Sequence, residues 1–118
     1  NPASMAATLA VLKEAHGKRR IAVLGAMREL GAESDTLHSG LAPHILDAGV
    51  DYALLVGSDM EPLAKALDGK AEFAHVADAA AALESVKRLV RAGDAVLIKG
   101  SNSIGLSRVV SALAEGVA

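Results

Sequence analysis

Residues 21–25, Ile21-Ala22-Val23-Leu24-Gly25, decide how the rest of the chain is read. The run has no polar side chain, includes two β-branched residues and stops at a glycine, which is the pattern of a buried strand. A strand that is apolar on both sides of its pleat needs cover on both faces, and parallel sheets provide that. Tyr52-Ala53-Leu54-Leu55-Val56-Gly57 and Asp94-Ala95-Val96-Leu97-Ile98-Lys99-Gly100 repeat the pattern, and Glu72–Val76 is a weaker version of it.

Between these runs the apolar residues fall at helical spacing. Met5, Leu9 and Leu12 predict a helix over roughly Ala3–Ala15, with Asn1 as N-cap, Pro2 in the first turn and Gly17 as the stop. Leu37, Leu41, Ile45 and Leu46 predict a second helix, a single one, closed by Gly49. A short helix is expected over Glu61–Leu67. Another is expected to begin near Asp78, its N-cap by residue type, and carries Leu83, Val86, Leu89 and Val90; the last carries Leu106, Val109, Val110 and Leu113. Strands alternating with helices and joined by right-handed crossovers give a Rossmann-like three-layer α/β sandwich with a mostly parallel sheet, one domain over residues 1–118.

Composition narrows the function classes. Of the 118 residues, 52% are hydrophobic and only 2% aromatic, so the core is aliphatic. A net charge of −2 supplies no broad basic surface for nucleic acid or anionic membrane. Without cysteine there is neither a disulfide nor a thiolate metal site, which suits a reducing cytoplasm. No apolar run approaches the roughly 18 residues of a membrane span. The first residue is Asn1, with no initiator methionine, and the chain is expected to be a piece of a longer one.

In an open parallel sheet, ligands bind beyond the carboxyl ends of the strands. Gly25, Gly57 and Gly100 stand at three such ends, where glycine also serves a tight strand-to-helix turn. The polar segments after Gly25 and Gly100 are the better site candidates. Lys99-Gly100-Ser101-Asn102-Ser103-Ile104-Gly105 has the glycine spacing of a P-loop, but Leu106-Ser107 stands where that motif needs Lys-Ser/Thr. It is either an anion- or carboxylate-binding loop or a plain capped turn. Arg28, Glu29 and Glu33 follow the first strand as charges of the kind that usually face solvent, and Gly25-Ala26-Met27 departs from the dinucleotide fingerprint G-x-G-x-x-G. His38 and His44, six apart on the expected second helix, would lie on different faces, so they do not suggest a metal pair; His16 and His75 are placed at element ends.

Three segments carry a family resemblance. Asn1-Pro2-Ala3-Ser4-Met5 resembles the end of an Asn-Ala-Asn-Pro-x-Ser-Met stretch, and Ile21–Gly31 resembles Val-Leu-Gly-Asp-Met-x-Glu-Leu-Gly, with Ser34 and His38 following in step. Val96-Leu97-Ile98-Lys99-Gly100-Ser101 resembles a Lys-Gly-Ser motif. In this order they are similar to the third domain of the MurF-type Mur ligases.

The resemblance implies the C-terminal domain of an ATP-dependent, amide-forming ligase of peptidoglycan synthesis, located in the cytoplasm. ATP and Mg²⁺, bound mainly by a central domain, would activate the carboxylate of UDP-N-acetylmuramoyl-tripeptide as an acyl phosphate for attack by the amine of D-alanyl-D-alanine. The third domain would close over the nucleotide and help to hold the dipeptide. Its substrate-binding residues would be Lys99, Gly100, Ser101, Asn102 and Ser103 on one side and Met27, Glu29, Leu30 and Gly31 on the other, with Asn1 near the nucleotide and no metal ligand or catalytic group. The preceding domains of the same chain would be its partners. Ala26 replaces the family's usual Asp, so no carboxylate role is assigned there, and Asn102 stands where many relatives have Arg. A free-standing Rossmann-like small-molecule binding or interaction module is the alternative, and a dinucleotide-dependent oxidoreductase ranks last.

Overall fold

Asn1 starts the first helix, α1 (Pro2–Lys13): its Oδ1 accepts the Ser4 N–H at 2.8 Å, and Pro2 occupies the first turn, where its missing N–H costs nothing. The computed structural model describes residues 1–101 and 104–114. After α1 come β1 (Arg20–Gly25), α2 (Ser34–Ser39), α3 (Ala42–Asp47), β2 (Tyr52–Val56), α4 (Glu61–Leu67), β3 (Phe73–Val76), α5 (Ala79–Leu89), β4 (Ala95–Lys99) and α6 (Ser107–Ala114). Short 3₁₀ turns, Gly31–Glu33 and Ser58–Met60, lead into α2 and α4.

The four described strands form one sheet in the order β3-β2-β1-β4, every pairing parallel. Central β1 and β2 are buried almost throughout, as their unbroken apolar sequences require. Along them the side chains alternate between two cores. Ala22, Leu24, Ala53 and Leu55 pack with Met5, Leu9 and Leu12 of α1, Ile45 of α3, and Leu63 and Leu67 of α4. Ile21, Val23, Leu54 and Val56 face Ala82 and Val86 of α5 and Val109 of α6. Helices therefore cover both faces, and the expected three-layer Rossmann-like sandwich is the observed one. Outer strands β3 and β4 are only half-buried, because each is paired on one side among the described residues.

The expected second helix is two. Pro43 lies in the first turn of α3. In a continuous helix it could not donate to the carbonyl of Ser39, and its ring would press on that carbonyl. The chain instead tightens at Gly40 and Leu41, with Leu41 N–H donating to the His38 carbonyl at 3.1 Å, and α3 starts afresh. His38 and His44 consequently belong to different helices, the first buried and the second exposed. Asp78 caps α5 as its sequence position suggests, accepting the Ala81 N–H at 2.9 Å.

The amino ends of β1 and β4 are tied by an ion pair. Arg19 donates to both carboxylate oxygens of Asp94, at 3.0 and 2.8 Å, and to the Leu89 carbonyl at 2.7 Å. The Arg91 N–H adds a bond to Asp94 at 2.8 Å. Arg19 hydrogen bonding, more than any other influence, holds the Asp94 carboxyl below the usual carboxylate range, against the opposing effect of burial.

Candidate functional site at the carboxyl rim of β1 and β4

The chain runs from β1 outward to β2 and β3, then returns through α5 to place β4 on the other flank of β1. The carboxyl ends of β1 and β4 therefore form the topological switch point, where open α/β sheets bind ligands. Leu24 pairs with Lys99, so the segments following both strands leave the sheet side by side.

Glycine is needed here for closeness. Neither Gly25 nor Gly100 has a positive φ, unlike Gly57 at +108°. A Cβ on Gly100 would lie 2.8 Å from the Gly25 Cα, and one on Gly25 would lie 2.9 Å from Leu106 Cδ1. The turn explanation offered by sequence holds for Gly57, whereas at the other two positions the requirement is backbone against backbone and backbone against core.

A cleft of about 260 Å³ opens at this rim, lined by Asn1, Met5, Met27, Arg28, Glu29, Lys99, Gly100 and Ser101. Across the Lys99–Ser101 ridge lies a second, of about 380 Å³, which also reaches Leu106, Ser107 and Val110. Of the residues named from sequence, Asn1, Met27, Glu29, Lys99, Gly100 and Ser101 are brought to one cleft. Leu30 is half-buried and packs against the core, and Gly31, at φ +65°, opens the turn into α2; neither lines the cleft. Asn102 and Ser103 lie outside the described residues.

The wall contributed by the loop after β1 is held from behind. Ala26 N–H still belongs to the sheet, donating to the Val56 carbonyl at 2.9 Å. The next donor, Met27 N–H, has no strand to meet and is taken by His38 Nε2 at 2.9 Å. The Met27 side chain is buried with Met5 and Leu41 in the core beneath. Arg28 and Asp59 approach to 3.6 Å with both side chains about half exposed, a pairing that solvent leaves weak. Glu29 adopts φ +60°, a left-handed conformation uncommon for a residue with a side chain.

The sequence drew attention to His38 twice, as half of an unlikely metal pair and as a position in step with the family motif after β1, but gave it no structural role. Its burial was legible in principle, since it follows Leu37 and is one turn from Leu41. Its partner was not, because Met27 lies eleven residues away across a turn. Where the family's Asp is expected, Ala26 is buried, its Cβ 3.2 Å from where a Cβ on Gly57 would sit, so the space is closed and apolar.

The model of one family, Mur ligase, glutamate ligase domain, matches residues 1–102. The chain belongs to the Mur ligase family. The UDP-N-acetylmuramoyl-tripeptide--D-alanyl-D-alanine ligase of Synechocystis is 38% identical over 112 residues, which are 93% of this Mur ligase domain and 24% of the relative. MurF from Acinetobacter baumannii shares the fold with a TM-score of 0.85 and 24% identity, over 98% of this chain and 26% of that one. MurF ligase from Thermotoga maritima, crystallised in complex with ADP, aligns with a TM-score of 0.77 and 21% identity over 99% of this chain and 26% of its own. The Mur ligase domain thus spans about a quarter of the length of these relatives. The three segments that carry the family motifs, at α1, after β1 and after β4, meet at the same cleft.

Proposed function

We propose that this chain is the C-terminal domain of the ATP-dependent ligase that joins D-alanyl-D-alanine to UDP-N-acetylmuramoyl-tripeptide in the cytoplasm, and that it closes over the nucleotide and helps to bind the dipeptide. The observation that carries the reading is the cleft itself, which sets the Asn1 end of α1, Met27 and Glu29, and Lys99 to Ser101 around a space suited to a small ligand. Lys99 offers a cation to the carboxylate of the dipeptide, Glu29 an anion to its ammonium group, and Ser101 a hydroxyl. Leu30 and Gly31 shape the loop behind Glu29. Asn102 and Ser103 extend the polar edge in sequence.

Leu106 occupies the place of the P-loop lysine, so the Lys99–Gly105 loop lacks the nucleotide-triphosphate signature. Nucleotide and metal fit the central domain of the full-length ligase, and this domain contributes Asn1 to the nucleotide side of the closed cleft. The test is titration of the isotopically labelled chain, by NMR, with D-alanyl-D-alanine and then with ADP-Mg²⁺. Amide shifts gathered at residues 25–31 and 99–105 are expected, and the chain alone turns over no ATP. ATP hydrolysis by the isolated chain, or shifts at this rim produced by NAD and not by the dipeptide, would overturn the reading.

A further inference from the structure

We propose that His38 is a positioning residue of the rim: a neutral imidazole whose bare Nε2 anchors the Met27 amide and so fixes the wall of the cleft formed by Met27 and Glu29. His38 is completely buried in a core whose other large buried side chains are apolar. A backbone N–H only donates, so the 2.9 Å contact from Met27 N–H requires a lone pair on Nε2. The single proton of the neutral ring then sits on Nδ1, where the Ser34 carbonyl accepts it at 2.8 Å and the Ser34 hydroxyl lies at 3.2 Å. Both ring nitrogens are satisfied in this one tautomer. A protonated ring would set N–H against N–H at Met27.

What the anchor holds is the first amide beyond the sheet ladder. Left without His38, Met27 N–H would be a buried donor with no partner, the kind of group that folded chains avoid. Two residues further on, Glu29 keeps its left-handed φ of +60°, a strain that persists only where the neighbouring structure over-determines it. His38 supplies the constraint on the upstream side, from the helix into which the same loop leads. The loop is thereby closed on itself, and Glu29 is presented to the cleft in one conformation.

The ligand arm of the test rests on the dipeptide reading above; the tautomer and exchange arms do not. Imidazole nitrogen NMR of the labelled chain is expected to show His38 protonated at Nδ1 only, with a slowly exchanging Met27 amide. His38→Leu removes the acceptor, and Met27 should exchange about tenfold faster while the dipeptide-induced shifts at residues 27–29 are lost and those at 99–101 stay. His38→Gln returns an acceptor oxygen near the Nε2 position and restores both. An Nε2-protonated ring in the wild-type chain, or an unchanged Met27 amide in His38→Leu, overturns the proposal. Should His38→Leu not fold, the wild-type tautomer and the protection of Met27 in His38→Gln decide it on their own. An Nδ1-protonated ring with a protected Met27, but no response anywhere to the dipeptide, supports the positioning role and defeats the ligand reading.

Discussion

A single methyl group is the sharpest probe of the rim. Gly100→Ala would place Cβ 2.8 Å from the Gly25 Cα and 3.1 Å from its N, and neither backbone atom can swing aside as a side-chain tip would. Such overpacking costs about 1–3 kcal/mol. Urea unfolding of Gly100→Ala should show a loss of this size, with amide shifts spreading along both β1 and β4; wild-type stability would mean that the two strand ends separate freely. The pair illustrates what could be read from the sequence and what could not. Glycine at two strand ends was plain, and so was the polarity of the residues that follow. That the two glycines touch depends on β4 returning to the flank of β1, which no local pattern encodes. The contact of His38 with Met27 was hidden for the same reason, being set by the path of the loop and not by helical spacing.

The helices divide into those whose ends were written in single residues and those whose ends were not. Asn1 and Asp78 both act as side-chain caps, as residue type and position suggested. Asp78→Ala should therefore cost about 1 kcal/mol of stability. Because Asp78 is exposed and does not line the cleft, the dipeptide-induced shifts at residues 27–29 and 99–101 should be unchanged; a melting temperature equal to wild type would show the cap bond to be idle. The break between α2 and α3 was misread because Leu37, Leu41, Ile45 and Leu46 keep a helical period straight through it. Pro43 was the signal to stop; the apolar spacing runs past it because Leu41 and Ile45 are buried in the same core, although Leu46, the last of the series, is exposed. Strand character was the most legible property, since β1 and β2 are central and must be apolar on both faces. The half exposure of β3 and β4 reflects sheet order, which a strand's own sequence records only faintly.

For the molecule as a whole, the sheet is closed at its base by charge. Asp94, with a side chain 2% exposed, is held deprotonated by Arg19 and by the Arg91 amide. Its folded pKa lies below its unfolded value, so the folded state binds fewer protons across that interval. The stabilisation is present above the unfolded pKa, about 4, and is lost as pH falls through the folded value. Asp94→Asn should accordingly lower the urea midpoint more near pH 7 than at a pH below about 4, where the deficit shrinks as Asp94 takes up its proton. An equal deficit at both pH values would show that shape and hydrogen bonding, and not charge, close the base.

The base and the rim are opposite ends of the same four strands, and they share no residue. Arg19 and Asp94 grip the entries of β1 and β4, while Gly25, Lys99 and Gly100 stand at the exits. A lineage that altered Glu29 or Ser101 would reshape the cleft and leave that grip untouched. Mutational drift at the base would register in how long the protein survives, and drift at the rim in the shape and charge of the cleft. The two histories can proceed at separate rates within one small sheet.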